Sequence, residues 1–191
     1  MQLTVLISFL AVVSTQALHV LGNPLPGSSR AATLACPGGT VIAETYIGKD
    51  KNVKVEYIAC ASNKAISKRS DLEARQTNVC GANCKTNCFA GGTGGPDPNN
   101  CHIIADAIRF DSQAKGALFQ IPTGVNNTIA MTFRDCLTFF VNQDFTNLTY
   151  CRLDWADVLD FIAPNCQAQQ NAHGGNCVAT DQRWFIQAQH S

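Results

Sequence analysis

Ten cysteines constrain this chain more than any other feature: Cys36, Cys60, Cys80, Cys84, Cys88, Cys101, Cys136, Cys151, Cys166 and Cys177. Structural zinc usually announces itself by CxxC pairs or mixed Cys/His sets. Here the densest stretch is "CGANCKTNC", with Cys80, Cys84 and Cys88 four residues apart. On a helix those three would share a face, but helix-forming residues are scarce around them. An even, dense set of this kind implies disulfides rather than thiol or metal chemistry. We therefore expect a disulfide-stapled fold with no metal ion and no cofactor.

The N-terminus agrees with an oxidising route. Residues 1–17 carry the apolar run "LTVLISFLAVV" followed by "STQA", with Thr15 and Ala17 small enough to flank a signal-peptidase cut after Ala17. This reads as a secretory signal peptide, although no Lys or Arg precedes the apolar core. The run falls well short of the roughly 20 residues a membrane span needs. A secreted, extracellular protein without a membrane span is expected. Two sequons, at Asn126 and Asn147, fit that route and are expected on exposed turns.

A boundary is expected near residue 75. The stretch "NKAISKRSDLEARQTN" is polar and aperiodic, contains the dibasic pair Lys68-Arg69, and carries "LEAR" ending at Arg75. Both resemble processing sites, so residues 18–75 read as a front segment that could be a propeptide. Charge divides at the same place. Residues 18–75 hold eight Lys/Arg and five acids, which is +3, and residues 76–191 hold six and nine, which is −3. A mildly acidic back segment argues against nucleic-acid binding, which needs clustered cations.

Within the front segment, "TVIAETYI" and "NVKVEYIA" alternate apolar and polar residues around "GKDKN". That is a hairpin pattern, and Cys36 with Cys60 is placed to clamp its mouth. A lone hairpin is marginal in water, so the clamp or docking on the rest of the chain must stabilise it. An intramolecular chaperone, a small adhesion module and a spacer all fit.

In residues 76–191, Asp97 and Pro98 form an N-cap and first-turn pair before a stripe of Ile103, Ile104, Ala107 and Ile108. "ALFQIP", "NTIAMTFRD" and "CLTFFVNQ" read as strands. In "LDWADVLDFIAPNC", Trp155, Val158, Leu159 and Ile162 repeat with helical spacing. Asp154, Asp157 and Asp160 fall on the opposite face, expected to be solvated. "ATDQRWFIQAQ" reads as a closing strand with Trp184, Ile186 and Ala188 on one side. The expected fold class is α+β: a disulfide-rich α/β sandwich of a small, mainly antiparallel sheet and two helices, preceded by the clamped hairpin. Eight cysteines allow on the order of 100 connectivities. The expectation taken here is that Cys166 meets Cys177 and Cys136 meets Cys151.

Catalytic signatures are sparse. Residues 76–191 contain no glutamate and no GxSxG elbow. His102, in the first turn of a helix, is expected to be solvated or capping. His173 is the best acid–base candidate, with Asp181 and Arg183 nearby in sequence, but no second histidine is evidently placed to pair with it. "NAHGGNC" reads as a turn-rich loop pinned by Cys177. The candidate recognition residues are Asn171, His173, Asn176, Arg183 and Trp184, the last because an indole can stack on a sugar.

The segments "CKTNC", "DPNNCHIIADAIRF", "TFRDCLTFFVNQ", "LTYCRLDWADVLDFIAPNC" and "GGNCVATDQRWFIQ" resemble the mushroom small secreted proteins of the glycan-binding protein Y-three-like family. The resemblance spans Cys80 to His190 and rests on cysteine spacing and aromatic placement. It implies an α/β sandwich that binds glycans without catalysis and pairs sheet to sheet as a homodimer. The leading expectation is a lectin-like protein of defence or immunomodulatory type, with carbohydrate or glycoprotein as partner. A killer-toxin-like effector is the alternative, and a secreted hydrolase or ribonuclease using His173 is the third.

Overall fold

The computed structural model describes residues 27–60 and 77–191. Ala17, Arg69 and Arg75, and the signal and processing expectations attached to them, lie outside the described residues. The chain begins with a short helix α1 (Arg30–Ala35), capped by Ser29, whose hydroxyl accepts from the Ala32 N–H at 3.0 Å. The hairpin follows as β1 (Thr40–Ile47) and β2 (Val53–Ala59), clamped by the expected Cys36–Cys60 disulfide.

The remaining elements are β3 (Thr77–Asn78), β4 (Cys84–Ala90), α2 (Pro98–Lys115), β5 (Leu118–Ile121), β6 (Thr128–Phe133), β7 (Cys136–Asn142), β8 (Leu148–Cys151), α3 (Arg152–Asn165), β9 (Ala172–Ala179) and β10 (Trp184–His190). The α2 start is the one the sequence predicts: the Asp97 carboxylate accepts from the Asn99 N–H at 2.9 Å, with Pro98 in the first turn. Both long helices exist where periodicity places them.

Seven strands form one antiparallel sheet in the order β1-β2-β6-β7-β10-β9-β4. A three-stranded sheet, β3-β8-β5, contains the parallel pair β3/β8. The molecule is thus α+β, mainly antiparallel and cross-linked by five disulfides. The sheet is larger than expected because the hairpin belongs to it: β2 pairs with β6 from Lys54↔Thr132 to Ile58↔Thr128.

The two faces of the large sheet carry separate cores. On one, α2 and α3 cover Val53, Val55, Met131, Phe140, Trp184 and Ile186. On the other, Ala31 and Ala32 of α1 pack with Ile58, Ala130, Leu137, Phe139 and Val141. This explains why β7 is buried at every position. A strand covered on both sides loses the polar alternation of a half-exposed one.

Four disulfides join the elements of the back segment: Cys80–Cys151, Cys84–Cys177, Cys88–Cys166 and Cys101–Cys136. The expected Cys166–Cys177 and Cys136–Cys151 pairs are therefore incorrect. "CKTNC" is a strand, not a helix, and residues 84 and 88 of a strand share a face. That face meets β9 through Cys177 and the end of α3 through Cys166.

"NAHGGNC" is also not a loop. It forms most of β9, pairing with both β10 and β4. Its glycines are required by packing: Gly174 has φ +106°, and a Cβ on Gly175 would lie 2.7 Å from the Asn87 carbonyl oxygen and 2.8 Å from Cys166 Sγ. The sequence signal read as a flexible loop is a tight approach of three strands and a helix end.

Candidate functional site

A cleft of about 730 Å³ opens where β4, β9 and β10 end, walled by the glycine loop that leads into α2. Phe89 comes from β4 and His173 from β9. Gln187, Gln189 and His190 come from β10, and Thr93, Gly94 and Gly95 from the loop. Strand alternation supplies the amides. Trp184, Ile186 and Ala188 take the core side of β10, so Gln187 and Gln189 must face away.

His173 is exposed, and its ring lies 5.9 Å from Phe89 in a tilted contact. Its Nδ1 is 3.1 Å from the Gly91 carbonyl oxygen. A carbonyl only accepts, so Nδ1 carries the hydrogen and Nε2 of the neutral ring is an acceptor. Asn171 stands at the same corner, in the left-handed conformation at φ 52°, with its own carbonyl accepting from the Gly91 N–H at 3.0 Å. On β10, the Gln187 amide donates to Gln189 Oε1.

His190 is the histidine that sequence reasoning missed. It lies 17 residues after His173, so no local spacing links the two. Antiparallel pairing of β9 with β10 brings both into one cleft. His190 Nε2 lies 3.6 Å from Asp135 Oδ2. Burial by itself would raise the Asp135 carboxyl. Hydrogen bonds from the Asn100 amide and the Asp97 N–H, with the nearby His190, outweigh it and hold the carboxyl below its ordinary value.

The other candidates disperse. Asn176 lies mid-strand on β9, where its Oδ1 accepts from Asn87 Nδ2 at 3.3 Å. Arg183 stands at the opposite end of β10, in the turn from β9. Its Nε donates to Asp181 Oδ2 at 2.7 Å, and its Nη1 lies 3.5 Å from Asp144 Oδ2. The Asp181 hydrogen bond raises the guanidinium above its ordinary value. Trp184 leaves the candidate set: its ring is fully buried, stacked on Phe140 at 5.4 Å and against Tyr150 at 4.9 Å. Alternation turned it inward, so no ring face is open to a sugar.

Of the helix aspartates, Asp157 is exposed as expected, Asp154 and Asp160 are half-buried, and all three have partners. Asp160 accepts from Arg109 at 2.8 Å and lies 2.9 Å from His102 Nδ1, Asp157 meets Arg109 at 2.8 Å, and Asp154 accepts from the Gly81 N–H at 2.7 Å. They bind α3 to α2 and to the loop before β4. Glu44 and Glu56 lie on the hairpin beside Lys54, at 3.2 and 2.7 Å, and neither lines the cleft.

Of the sequons, Asn126 is exposed, in the single turn Gly124–Asn126. Asn147 is half-buried, and its side-chain carbonyl accepts from the Thr123 N–H at 3.0 Å. Among the described residues no helix is long and apolar enough to cross a membrane. Compared with protein-family models and with curated protein sequences, the chain matches none.

Proposed function

We propose that this is a secreted glycan-binding protein and that the cleft between Phe89, His173, Gln187 and Gln189 is where the sugar sits. The supporting observation is the chemistry of that lining: two amides, two imidazoles and one aromatic ring, with no carboxylate, lysine or arginine among them. Sugar hydroxyls donate and accept at once. Glutamine amides, which donate and accept, and imidazole ring nitrogens answer both roles. Phe89 adds an apolar surface for the C–H face of a pyranose. The size lies within the range of small-ligand sites, about 300–1,000 Å³. Signal-peptide character, the dense disulfides and the family resemblance support the same reading.

A homodimer belongs to the proposal. Among the described residues the large sheet ends at β1 and β4, and either edge is a place where a second copy could pair. A glycan array with the full chain tests recognition, and size-exclusion chromatography tests the dimer. Selective binding to one glycan class is expected. Uniform background across fungal, plant and animal glycans would reject the reading.

One observation favours a second reading. His173 and His190 share the cleft, and a pair of imidazoles can act as general base and general acid in phosphodiester or glycoside hydrolysis. Incubation with RNA and with glycan polymers separates the two readings. Turnover lost in both His173→Ala and His190→Ala would favour hydrolysis over recognition.

A further inference from the structure

The front segment is tied to the back segment on both faces of the sheet, yet no disulfide crosses between them. Cys36–Cys60 lies wholly before residue 61, and the other four pairs lie wholly after residue 76. What joins the two is backbone pairing and apolar packing. β2 and β6 run antiparallel over five residue pairs, and the Cys60 N–H donates to the Val125 carbonyl at 2.7 Å just beyond them.

On the helix-covered face, Val53 and Val55 are buried in the main core with Met131 and Ile129. The β1–β2 turn reaches α2 closely enough that a Cβ on Gly48 would come within 2.9 Å of the Ala107 Cβ. On the other face, Ala31, Ala32 and Ile58 seal Leu137 and Phe139. Removing residues 27–60 would turn β6 into an open edge and bare apolar side chains on both faces of β6 and β7. Such a surface is a site of aggregation, not a mature exterior.

We infer that residues 27–60 are a strand-donating subunit of the mature protein: scission anywhere in residues 61–76 leaves a two-chain molecule held non-covalently through β2 and β6. The partner for the β6 edge is this chain's own hairpin, and cutting at Lys68-Arg69 or Arg75 does not release it. The inference is independent of what the His173 cleft binds.

The test uses the full chain with a specific protease sequence inserted between Ser70 and Asp71, cut after folding. On a non-reducing denaturing gel, two polypeptides should separate. On a native size-exclusion column, both should elute together with no loss of the front fragment. Hydrogen exchange of the β6 amides facing β2 should be as slow after the cut as before. A front fragment that elutes alone, or a large rise in β6 exchange on cutting, overturns the inference. So does a pair of fragments that stays joined in denaturant without reductant, since a crossing disulfide would then hold them.

Discussion

His173 Nδ1 lies 3.1 Å from the Gly91 carbonyl oxygen, which fixes the tautomer of the one candidate histidine that the sequence itself singles out. The glycine loop thereby orients the ring at the cleft. His173→Ala should weaken glycan binding about tenfold, or ~1.4 kcal/mol, without changing the melting temperature, because the side chain is exposed. Gln187→Ala should act in the same direction. Arg183→Ala, at the far end of β10, should leave affinity unchanged. Isothermal titration with the best array glycan checks all three, and an effect confined to Arg183 would move the site to the β9–β10 turn.

Gly174 is held at φ +106°, and an added Cβ would run into the Ala188 carbonyl. Gly174→Ala should cost at least about 2 kcal/mol, since backbone strain and a steric clash act together. Chemical denaturation measures it. Binding should also fall, because β9 carries His173 and would have to shift away from β10.

Trp155 is fully buried, and its Nε1 donates to Thr138 Oγ1 at 3.1 Å, joining α3 to β7. Thr138→Val keeps the shape and deletes the acceptor. The orphaned indole N–H should cost about 1–3 kcal/mol. Thr138→Ser, which retains the hydroxyl, should recover most of that in the same urea titration.

The His102 imidazolium is favoured first by its hydrogen bond to Asp160 and then by the charges of Asp160 and Asp106, against partial burial and the repulsion of Arg109. Its folded pKa is raised. The stabilisation is therefore full below the unfolded value, about 6.5, and is lost as pH rises through the higher folded value. The side chain is 57% exposed, so solvent screening limits the effect to a few tenths of a kcal/mol. His102→Asn should be more destabilising at pH 5 than at pH 9. A double-mutant cycle with Asp160→Asn should give coupling only at the lower pH; equal coupling at both would contradict the charge-based account.

The α+β class, both long helices, the Asp97 cap, the Cys36–Cys60 clamp and the inward face of β10 were legible because each follows from local spacing. Trp184, Ile186 and Ala188 alternate, and Trp155, Val158, Leu159 and Ile162 recur at helical intervals. The same alternation placed Trp184 in the core, where it could not also serve a sugar. "HGGNC" misled for a physical reason. Glycine marks both loose turns and tight contacts, and the neighbours that distinguish the two come from other elements, β4, β10 and the end of α3, with Asn87 of β4 far away in sequence.

By itself, then, the sequence determined a disulfide-stapled α+β chain with a clamped hairpin and a charge division near residue 75. Those features depend on local periodicity, on composition, or on two cysteines that bracket one hairpin. Tertiary structure alone decided which cysteines meet, that the hairpin completes the large sheet, and that His190 joins His173 in one cleft. These depend on strand order, and strand order is set by burying both faces of β6 and β7 at once.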